Sequence, residues 1–334
     1  QGSLPSDGYI VFAAGNYGVA IDNSGRVVWY HHFPGGPGLN FQPQPDGRYA
    51  ARPPAETGKI PQWIEIDPLG DTTRTITCAG GLPPRMHDMI ARADGSSWLL
   101  CDETRTIDLS SQGKSSQSRV LGTAVQRLNA NGDVLFQWSP FDHLEIDLSQ
   151  LDPADLNSSV INWTHGNALD LDADSNVVVS FRNLNEVIKI DIHTGAVMWR
   201  FGGPKNQFTL QNVSAPAFVH QHGLRAIGGG RYVLLDNLGD PVRTEAEQYE
   251  LDEAAHTARL IRTYVPDPAI LAQIGGSTQQ LAGGRALVAF GNGGGLEEYD
   301  SAGGIVWKLN GNPGYIFHAQ RIRSLYKPGV GDPR

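Results

Sequence analysis

The chain has 334 residues, including 40 glycines and 21 prolines, and only 18% of its residues are charged. Repetitive all-β folds reach this length as one domain, and the composition suits short strands and tight turns better than helices. The formal net charge of −9 disfavours nucleic acid and anionic membranes as main partners, because both are themselves negative. We also find no apolar run long enough to span a bilayer.

One structural unit recurs along the chain. An apolar strand ends in Asp or Asn, a short turn usually ends in Gly, and a second strand follows that is often closed by Trp. The spacings of about 45 to 65 residues match the size of a propeller blade. The turns of the six copies, the fifth being the weakest, begin at Asp22, Asp67, Asn129, Asp191, Asp252 and Asp300.

A further strand with its own tight turn precedes most copies, but the first copy lacks one. The segment from His318 to Tyr326 resembles that missing strand. We therefore predict an all-β fold, a six-bladed β-propeller formed as a single domain by residues 1–334, with four strands per blade. Pairing the C-terminal strand with the N-terminal blade would close the ring and remove exposed sheet edges. A pair of β-sandwiches is the alternative, which the even repeat spacing disfavours.

The only two cysteines lie in strand-like segments. Cys78 follows the second repeat, and Cys101 ends a Trp-Leu-Leu-Cys run. A disulfide between them and a pair of buried thiols are equally compatible with the sequence. The chain starts at Gln1 without a charged and apolar leader, so it is either cytosolic or already processed. We expect a periplasmic or secreted protein.

The fourth blade carries two residues that the repeat does not need. Residues 169–171 and 177–181 read as a hairpin about the polar turn at 172–176. Folding that hairpin brings His165 and Arg182 to the same open end. An imidazole and a guanidinium at one end of a hairpin favour an anion site.

Histidine recurs at one position of the innermost strands. His87, His165 and His222 each precede their turn by about seven residues in blades three, four and five. The innermost strands of a propeller line its central channel, so we expect these histidines to converge on one mouth. A single histidine is usually a packing residue, whereas three at one repeat position indicate function.

Arg182 is the exception among the strands that return from the channel. Its counterparts in blades three, five and six are acidic or glycine: Asp102 or Glu103, Asp236 and Gly291. The structural interpretation is an ion pair to Asp102 or Asp236. The functional one is a guanidinium that binds an oxyanion, beside histidines that serve sulfuryl or phosphoryl transfer.

On these residues the chain resembles bacterial arylsulfotransferases that use aryl sulfates directly as donors. That resemblance implies that His222 carries the sulfuryl group covalently, and that His87, His165 and Arg182 hold the sulfate oxygens. It implies an aryl sulfate and a phenol as small-molecule partners and no cofactor. The chain has no room for the N-terminal β-domain of larger members. The matching motifs are HDM at 87–89, WTHGNA at 163–168, SFRN at 180–183, IKID at 188–191, GAVMWRFGG at 195–203 and QH at 221–222.

Two other functions remain open at this stage. The three histidines could bind a divalent metal in a propeller oxygenase or lactonase, although Arg182 would repel the ion. A non-catalytic ligand-binding propeller would need its pocket repeated in every blade. The segment 139–159 is longer than a link between blades needs to be. We expect it to form a short helix that lies over the channel and acts as a lid.

Overall fold

The computed structural model describes residues 4–310 and 314–334, which form six sheets arranged as a β-propeller. This confirms the predicted fold class. Residues 1–3 and 311–313 of the predicted single domain lie outside the described residues.

The strands follow in chain order, four or five to a blade. Blade 1 has β1 (Tyr9–Ala14), β2 (Tyr17–Ile21) and β3 (Val27–His32). Blade 2 has β4 (Phe41–Pro43), β5 (Tyr49–Ala51), β6 (Trp63–Ile66) and β7 (Thr72–Ile76). Blade 3 has β8 (Pro84–Ala91), β9 (Ser97–Ile107), β10 (Ser118–Leu128), β11 (Val134–Trp138) and β12 (Ile161–Asn162). Blade 4 has β13 (Gly166–Leu171), β14 (Val177–Phe181), β15 (Glu186–Ile190) and β16 (Val197–Phe201).

The remaining strands complete the ring. Blade 5 has β17 (Thr209–Gln211), β18 (His222–Gly228), β19 (Arg231–Asp236), β20 (Glu245–Asp252) and β21 (Thr257–Tyr264). Blade 6 has β22 (Ser277–Leu281), β23 (Arg285–Ala289), β24 (Leu296–Tyr299) and β25 (Ile305–Lys308). The last strand, β26 (Ala319–Ile322), returns to blade 1.

Helices are short. Two of them, α1 (Pro140–His143) and α2 (Pro153–Leu156), lie between β11 and β12. Among the described residues, no helix has the length and apolar character needed to cross a membrane. Single 3₁₀ turns occur at Ala79–Gly81, Ser110–Gln112, Arg182–Leu184 and Ala282–Gly284.

The two ends of the chain close the ring as predicted. Strand β26 pairs antiparallel with β1, with Val11 opposite Gln320, and becomes the innermost strand of blade 1. The four-strand prediction is wrong in two blades. In blade 3, β12 pairs parallel with β10, and in blade 5, β17 pairs parallel with β21. Both added strands are only two or three residues long, too short for an alternating pattern to identify a strand.

The repeated Asp and Gly form the turns of the blades. In the first copy, the Asp22 carboxylate accepts from the backbone N–H of Ser24 at 2.9 Å, and the Gly25 N–H donates to the Asp22 carbonyl at 2.9 Å. Gly25 has a φ of 81°, which a residue with a Cβ adopts only at a cost. The Asp side chain and the Gly backbone together fix a tight hairpin turn.

The hydrophobic core lies between the faces of adjacent blades. Three of the Trp residues that close the repeats pack at these contacts. The indole N–H groups of Trp29 and Trp307 donate to the carbonyls of Pro68 and Asn23, each in the next blade. Trp199 is buried, and its ring lies edge-on to Tyr232 of blade 5, with centroids 5.7 Å apart.

The innermost strands are linked by side chains. Between blades 2 and 3, Gln42 donates to the Met89 carbonyl at 3.0 Å. Between blades 3 and 4, Asp88 accepts from the Leu169 N–H at 3.1 Å. These bonds hold the inner strands in register, so residues that begin each strand come together at one end of the channel.

Cys78 and Cys101 form a disulfide between blades 2 and 3. It closes a loop with a sequence separation of 23 residues. Replacing both cysteines with alanine is expected to lower the free energy of unfolding by about 3 kcal/mol, because the unfolded chain regains loop entropy. Urea unfolding of the oxidised protein and the double variant measures this difference. Equal midpoints would show that the bond adds no stability.

Candidate active site

The three predicted histidines meet at one mouth of the channel. His87 lies within β8, His165 immediately precedes β13, and His222 begins β18. The ring centroids of His87 and His165 are 5.1 Å apart. The buried ring of Phe317 has its centroid 5.5 Å from His87 and 6.1 Å from His222. The structure therefore brings all three histidines around one space.

The backbone at this mouth is held in unusual conformations. His165 and His220 have positive φ values of 48° and 55°. Such values cost non-glycine residues about 1–3 kcal/mol each and persist only where the surroundings enforce them. Gly223 has a φ of 62°, and a Cβ there would lie 2.5 Å from the Cα of Ser277. The strand that carries His222 is thereby pressed against blade 6.

The site histidines are neutral at ordinary pH. Burial, with a smaller contribution from the Arg182 charge, lowers the pKa of His222 to about 4. Burial also holds the pKa values of His87 and His165 well below 6.5, and the nearby Arg85 charge adds to both shifts. A neutral imidazole keeps a lone pair on one ring nitrogen, so each histidine is available as a nucleophile or a hydrogen-bond partner.

Arg182 is fixed at the same mouth. Its backbone N–H donates to the His165 carbonyl at 3.0 Å, which confirms that the hairpin brings the two residues together. Its guanidinium donates to the Asn183 side-chain oxygen at 2.7 Å and to Nδ1 of His220 at 3.0 Å. Burial lowers its pKa, but an arginine remains charged. Arg182 is therefore an oriented cation beside the histidines.

Among the described residues, Arg182 forms an ion pair with neither Asp102 nor Asp236, the two partners considered from the sequence. Asp102 instead forms a short, charged hydrogen bond with Arg85. Asp236 accepts from the Val219 N–H at 2.9 Å, and burial raises its pKa to about 7. Strand pairing alone could not exclude these partners, because it does not set how far a side chain reaches.

The carboxylates near Arg182 come from the insert between β11 and β12. Asp152 Oδ2 lies 3.8 Å and Asp155 Oδ2 lies 4.0 Å from the guanidinium. Asp155 also accepts from Asn183 Nδ2 at 3.0 Å. One short helix was predicted for the insert, and it forms two short helical turns, α1 and α2, of which α2 carries the Asp155 carboxylate near Arg182. Whether it acts as a lid stays a prediction.

Arg85 is a site residue that the sequence did not single out. It is 5% exposed, and its Nε donates to the Gly166 carbonyl at 2.7 Å, next to His165. It stands two residues before His87 in the same strand, so strand alternation places both on one face. This two-residue spacing from His87 was the signal in the sequence that could have identified Arg85. Arg85 adds a second cation near His87 and His165.

A buried charge network fills the channel below the histidines. The Asp88 carboxylate accepts from Arg225 at 2.9 Å and from Arg334 at 3.2 Å. Arg334 also lies 3.3 Å from Asp170. Two carboxylates and two guanidinium groups balance in charge, as buried ions must. Nearby, burial lowers the pKa of His318 to about 3.

The three histidines have the guanidinium groups of Arg182 and Arg85 near them, and the carboxylates of the insert lie 3.8 and 4.0 Å from Arg182. Within residues 4–310 and 314–334, no group of three or more His, Cys, Asp or Glu side chains could hold a metal ion. Two guanidinium groups and three neutral imidazoles instead suit a tetrahedral oxyanion.

Residues 84–312 match the sequence model of the Arylsulfotransferase (ASST) family. The chain belongs to the arylsulfotransferase family. The matched part contains all four predicted site residues, and it confirms the resemblance drawn from the motifs. It supports a transferase that acts on small molecules.

Solved structures show that this arylsulfotransferase-family chain shares its fold with other proteins. A protein of unknown function from Bacteroides caccae superposes with a TM-score of 0.60 at 14% identity, covering 96% of this chain and 100% of that one. A protein from Lactobacillus plantarum superposes with a TM-score of 0.52 at 10% identity, covering 91% and 82%. A streptogramin B lyase gives a TM-score of 0.50 at 12% identity, covering 93% and 82%. No curated protein sequence matches the chain significantly.

Proposed function

We propose that this protein moves a sulfuryl group from an aryl sulfate to a phenol through a sulfo-histidine on His222, without a nucleotide donor or other cofactor. The observation that carries the proposal is the convergence of three neutral histidines and the fixed Arg182 at one channel mouth. Membership of the arylsulfotransferase family supports the same chemistry.

The first half-reaction needs an uncharged nucleophile and a cation. The lone pair of neutral His222 attacks sulfur, the nitrogen–sulfur bond forms, and the bond from sulfur to the aryl oxygen breaks with its electron pair leaving on the phenolate. Arg182 offers a planar pair of donors to the sulfuryl oxygens. Because Arg182 is already held by Asn183 and His220, it needs no reorganisation as the charge shifts.

The second half-reaction restores the enzyme. The oxygen of a phenolic acceptor attacks sulfur, the nitrogen–sulfur bond breaks, and the lone pair returns to His222. The phenolic acceptor loses one proton, and the phenolate released in the first half-reaction takes up one, so the overall transfer is balanced. His87 and His165 lie close enough to each other to act on the same sulfuryl group. We assign them, with Arg182, to holding the sulfuryl oxygens.

We further propose that the protein works in the periplasm or outside the cell. The disulfide between Cys78 and Cys101 supports an oxidising compartment, since cytosolic thiols are usually kept reduced.

Steady-state kinetics with p-nitrophenyl sulfate and a phenol acceptor test the proposed reaction. Because the donor product leaves before the acceptor binds, double-reciprocal plots at several acceptor concentrations are expected to be parallel. A chelator should leave the rate unchanged. Intersecting lines would indicate direct transfer without an intermediate, and absence of turnover with several aryl sulfates would contradict the proposed activity.

The first half-reaction is also expected to resist acid. Because the folded-state pKa of His222 is lowered to about 4, its nucleophilic form persists above that pH and is lost only as pH falls through it. An ordinary imidazole would already be about nine-tenths protonated at pH 5.5. The burst of p-nitrophenol without acceptor, followed at an isosbestic wavelength, should keep the same rate from pH 8 to 5.5. A tenfold fall with a midpoint near 6.5 would contradict a buried, neutral nucleophile.

A further inference from the structure

Two side-chain amides, of the buried Asn237 and the half-buried Asn162, contact two of the site histidines. The Nδ1 atom of His222 lies 2.8 Å from Oδ1 of Asn237 and 2.9 Å from the carbonyl oxygen of His220. The Nδ1 atom of His165 lies 2.7 Å from Nδ2 of Asn162. Asn237 presents an oxygen to His222, whereas Asn162 presents an N–H group to His165. This difference determines which ring nitrogen of each imidazole carries the proton.

The orientation of Asn237 follows from its other bonds. Its Nδ2 group donates to the carbonyls of Ala272 at 2.8 Å and Gly275 at 2.9 Å, so its Oδ1 must face His222. Both neighbours of His222 Nδ1 are therefore oxygens without a proton, and Nδ1 must be the N–H. The lone pair then lies on Nε2, which has no hydrogen-bond partner among the described residues.

The orientation of Asn162 follows in the same way. Its Nδ2 group donates to the Asp155 carboxylate at 3.0 Å, and a carboxylate only accepts. The second hydrogen of that amide therefore points to His165, whose Nδ1 must accept. The proton of His165 lies on Nε2, on the opposite edge of the ring.

We propose that Asn237 and Asn162 are positioning residues that hold His222 and His165 in opposite tautomers. His222 presents a lone pair on Nε2, and His165 presents an N–H at Nε2. The tautomers themselves do not depend on the reaction, whereas their roles rest on the proposed sulfuryl transfer.

The two tautomers divide the work of that transfer. As the bond from His222 Nε2 to sulfur forms, the bond to the aryl oxygen breaks and its electron pair leaves on the phenolate. The Nδ1 proton of His222 stays in place, shared by two carbonyl-type oxygens that stabilise the positive charge on the ring. His165 donates from Nε2 to a sulfuryl oxygen. Reversed tautomers would leave no lone pair to attack and no proton to donate.

Nitrogen NMR of protein labelled with ¹⁵N-histidine tests the tautomers directly. Long-range proton–nitrogen spectra at pH 7.5 separate protonated from unprotonated ring nitrogens, and His165→Gln and His222→Gln variants assign the signals. We expect the Nδ1–H form for His222 and the Nε2–H form for His165. The same tautomer in both rings, or a doubly protonated ring in either, would overturn the inference.

Substitution of the asparagines tests the roles. Asn237→Leu leaves the His220 carbonyl as the one acceptor at His222 Nδ1, so the Nδ1–H tautomer is held less strongly and the positive charge on the ring is less stabilised. We expect the Nε2–H form of His222 to appear beside the Nδ1–H form, and the p-nitrophenol burst to slow about tenfold with little change in KM, because Asn237 contacts His222 and not the donor sulfate. Asn237→Asp keeps an acceptor at Nδ1, so His222 should remain in the Nδ1–H tautomer. The pH midpoint of the burst should move upward. Asn162→Leu should leave His222 unchanged and alter the His165 signals alone.

A matched control is Asn206→Leu, since Asn206 is partly buried and, among the described residues, its side chain bonds only to backbone groups of Gly202 and Phe208. It should change neither histidine signal. Loss of the burst in Asn237→Leu with an unchanged His222 tautomer would contradict the positioning role. Opposite tautomers in a wild-type protein that transfers no sulfuryl group would contradict the proposed function alone. Identical tautomers in an active protein would contradict this inference alone.

Discussion

Replacing His222 with alanine is expected to reduce sulfuryl transfer from p-nitrophenyl sulfate by a factor on the order of 10⁴ or more, because the nucleophile is lost. His222 is almost fully buried, but its side chain lies at the channel mouth and outside the hydrophobic core between the blades. The fold should therefore survive, and the burst of p-nitrophenol measures the loss.

His193→Ala is the matched control for this variant. His193 is exposed on the turn of blade 4, where its backbone N–H donates to Asp191. It should retain the wild-type burst. A His222→Ala protein that is folded by near-ultraviolet circular dichroism and keeps a tenth or more of the burst rate would show that another group accepts the sulfuryl group.

Replacing Arg182 is expected to have the second largest effect. Arg182→Met removes the cation from the mouth and should lower the burst rate about 10³-fold, the size typical of losing one preorganised charge donor. Arg182→Lys keeps the charge but cannot bond Asn183 and His220 while presenting two donors to the sulfuryl group. We expect it to recover only part of that loss.

The pH profile separates the two roles of Arg182. Its charge lowers the pKa of His222, so Arg182→Met should move the midpoint of the burst to a higher pH, while burial still keeps it below 6.5. Arg26→Lys is the control, because Arg26 forms a surface ion pair with Asp22 far from the channel. Equal burst rates in wild type and Arg182→Met would contradict a role for this guanidinium in transfer.

The fold could be predicted because the blade repeat is local. Each copy carries its own Asx turn, and five of the six have a glycine with positive φ, as at Asp22 and Gly25, while the fifth has His256 in that conformation. The hairpins are therefore visible without tertiary information. Ring closure followed from a strand missing in the first copy and an additional strand after the last copy. The short strands β12 and β17 were missed, because two or three residues that pair through the backbone leave no periodic pattern.

The four candidate site residues were visible against the blade repeat, because three of them recur at one repeat position and the fourth departs from the repeat. His87, His165 and His222 recur on innermost strands, and Arg182 replaces an acidic counterpart. The groups around them were missed for a physical reason. Asn237 reaches His222 from the end of a neighbouring strand, and the carboxylates near Arg182 come from a 22-residue connection between β11 and β12 whose path no pattern sets.

Mass spectrometry of the trapped intermediate tests the central claim most directly. The protein is mixed with excess p-nitrophenyl sulfate without acceptor and quenched at alkaline pH, and intact mass and peptide mapping follow. The account predicts one added sulfuryl group, located on His222, absent from His222→Ala and removed by adding a phenol. An adduct on a different residue, or active turnover with no adduct at any quench time, would contradict it.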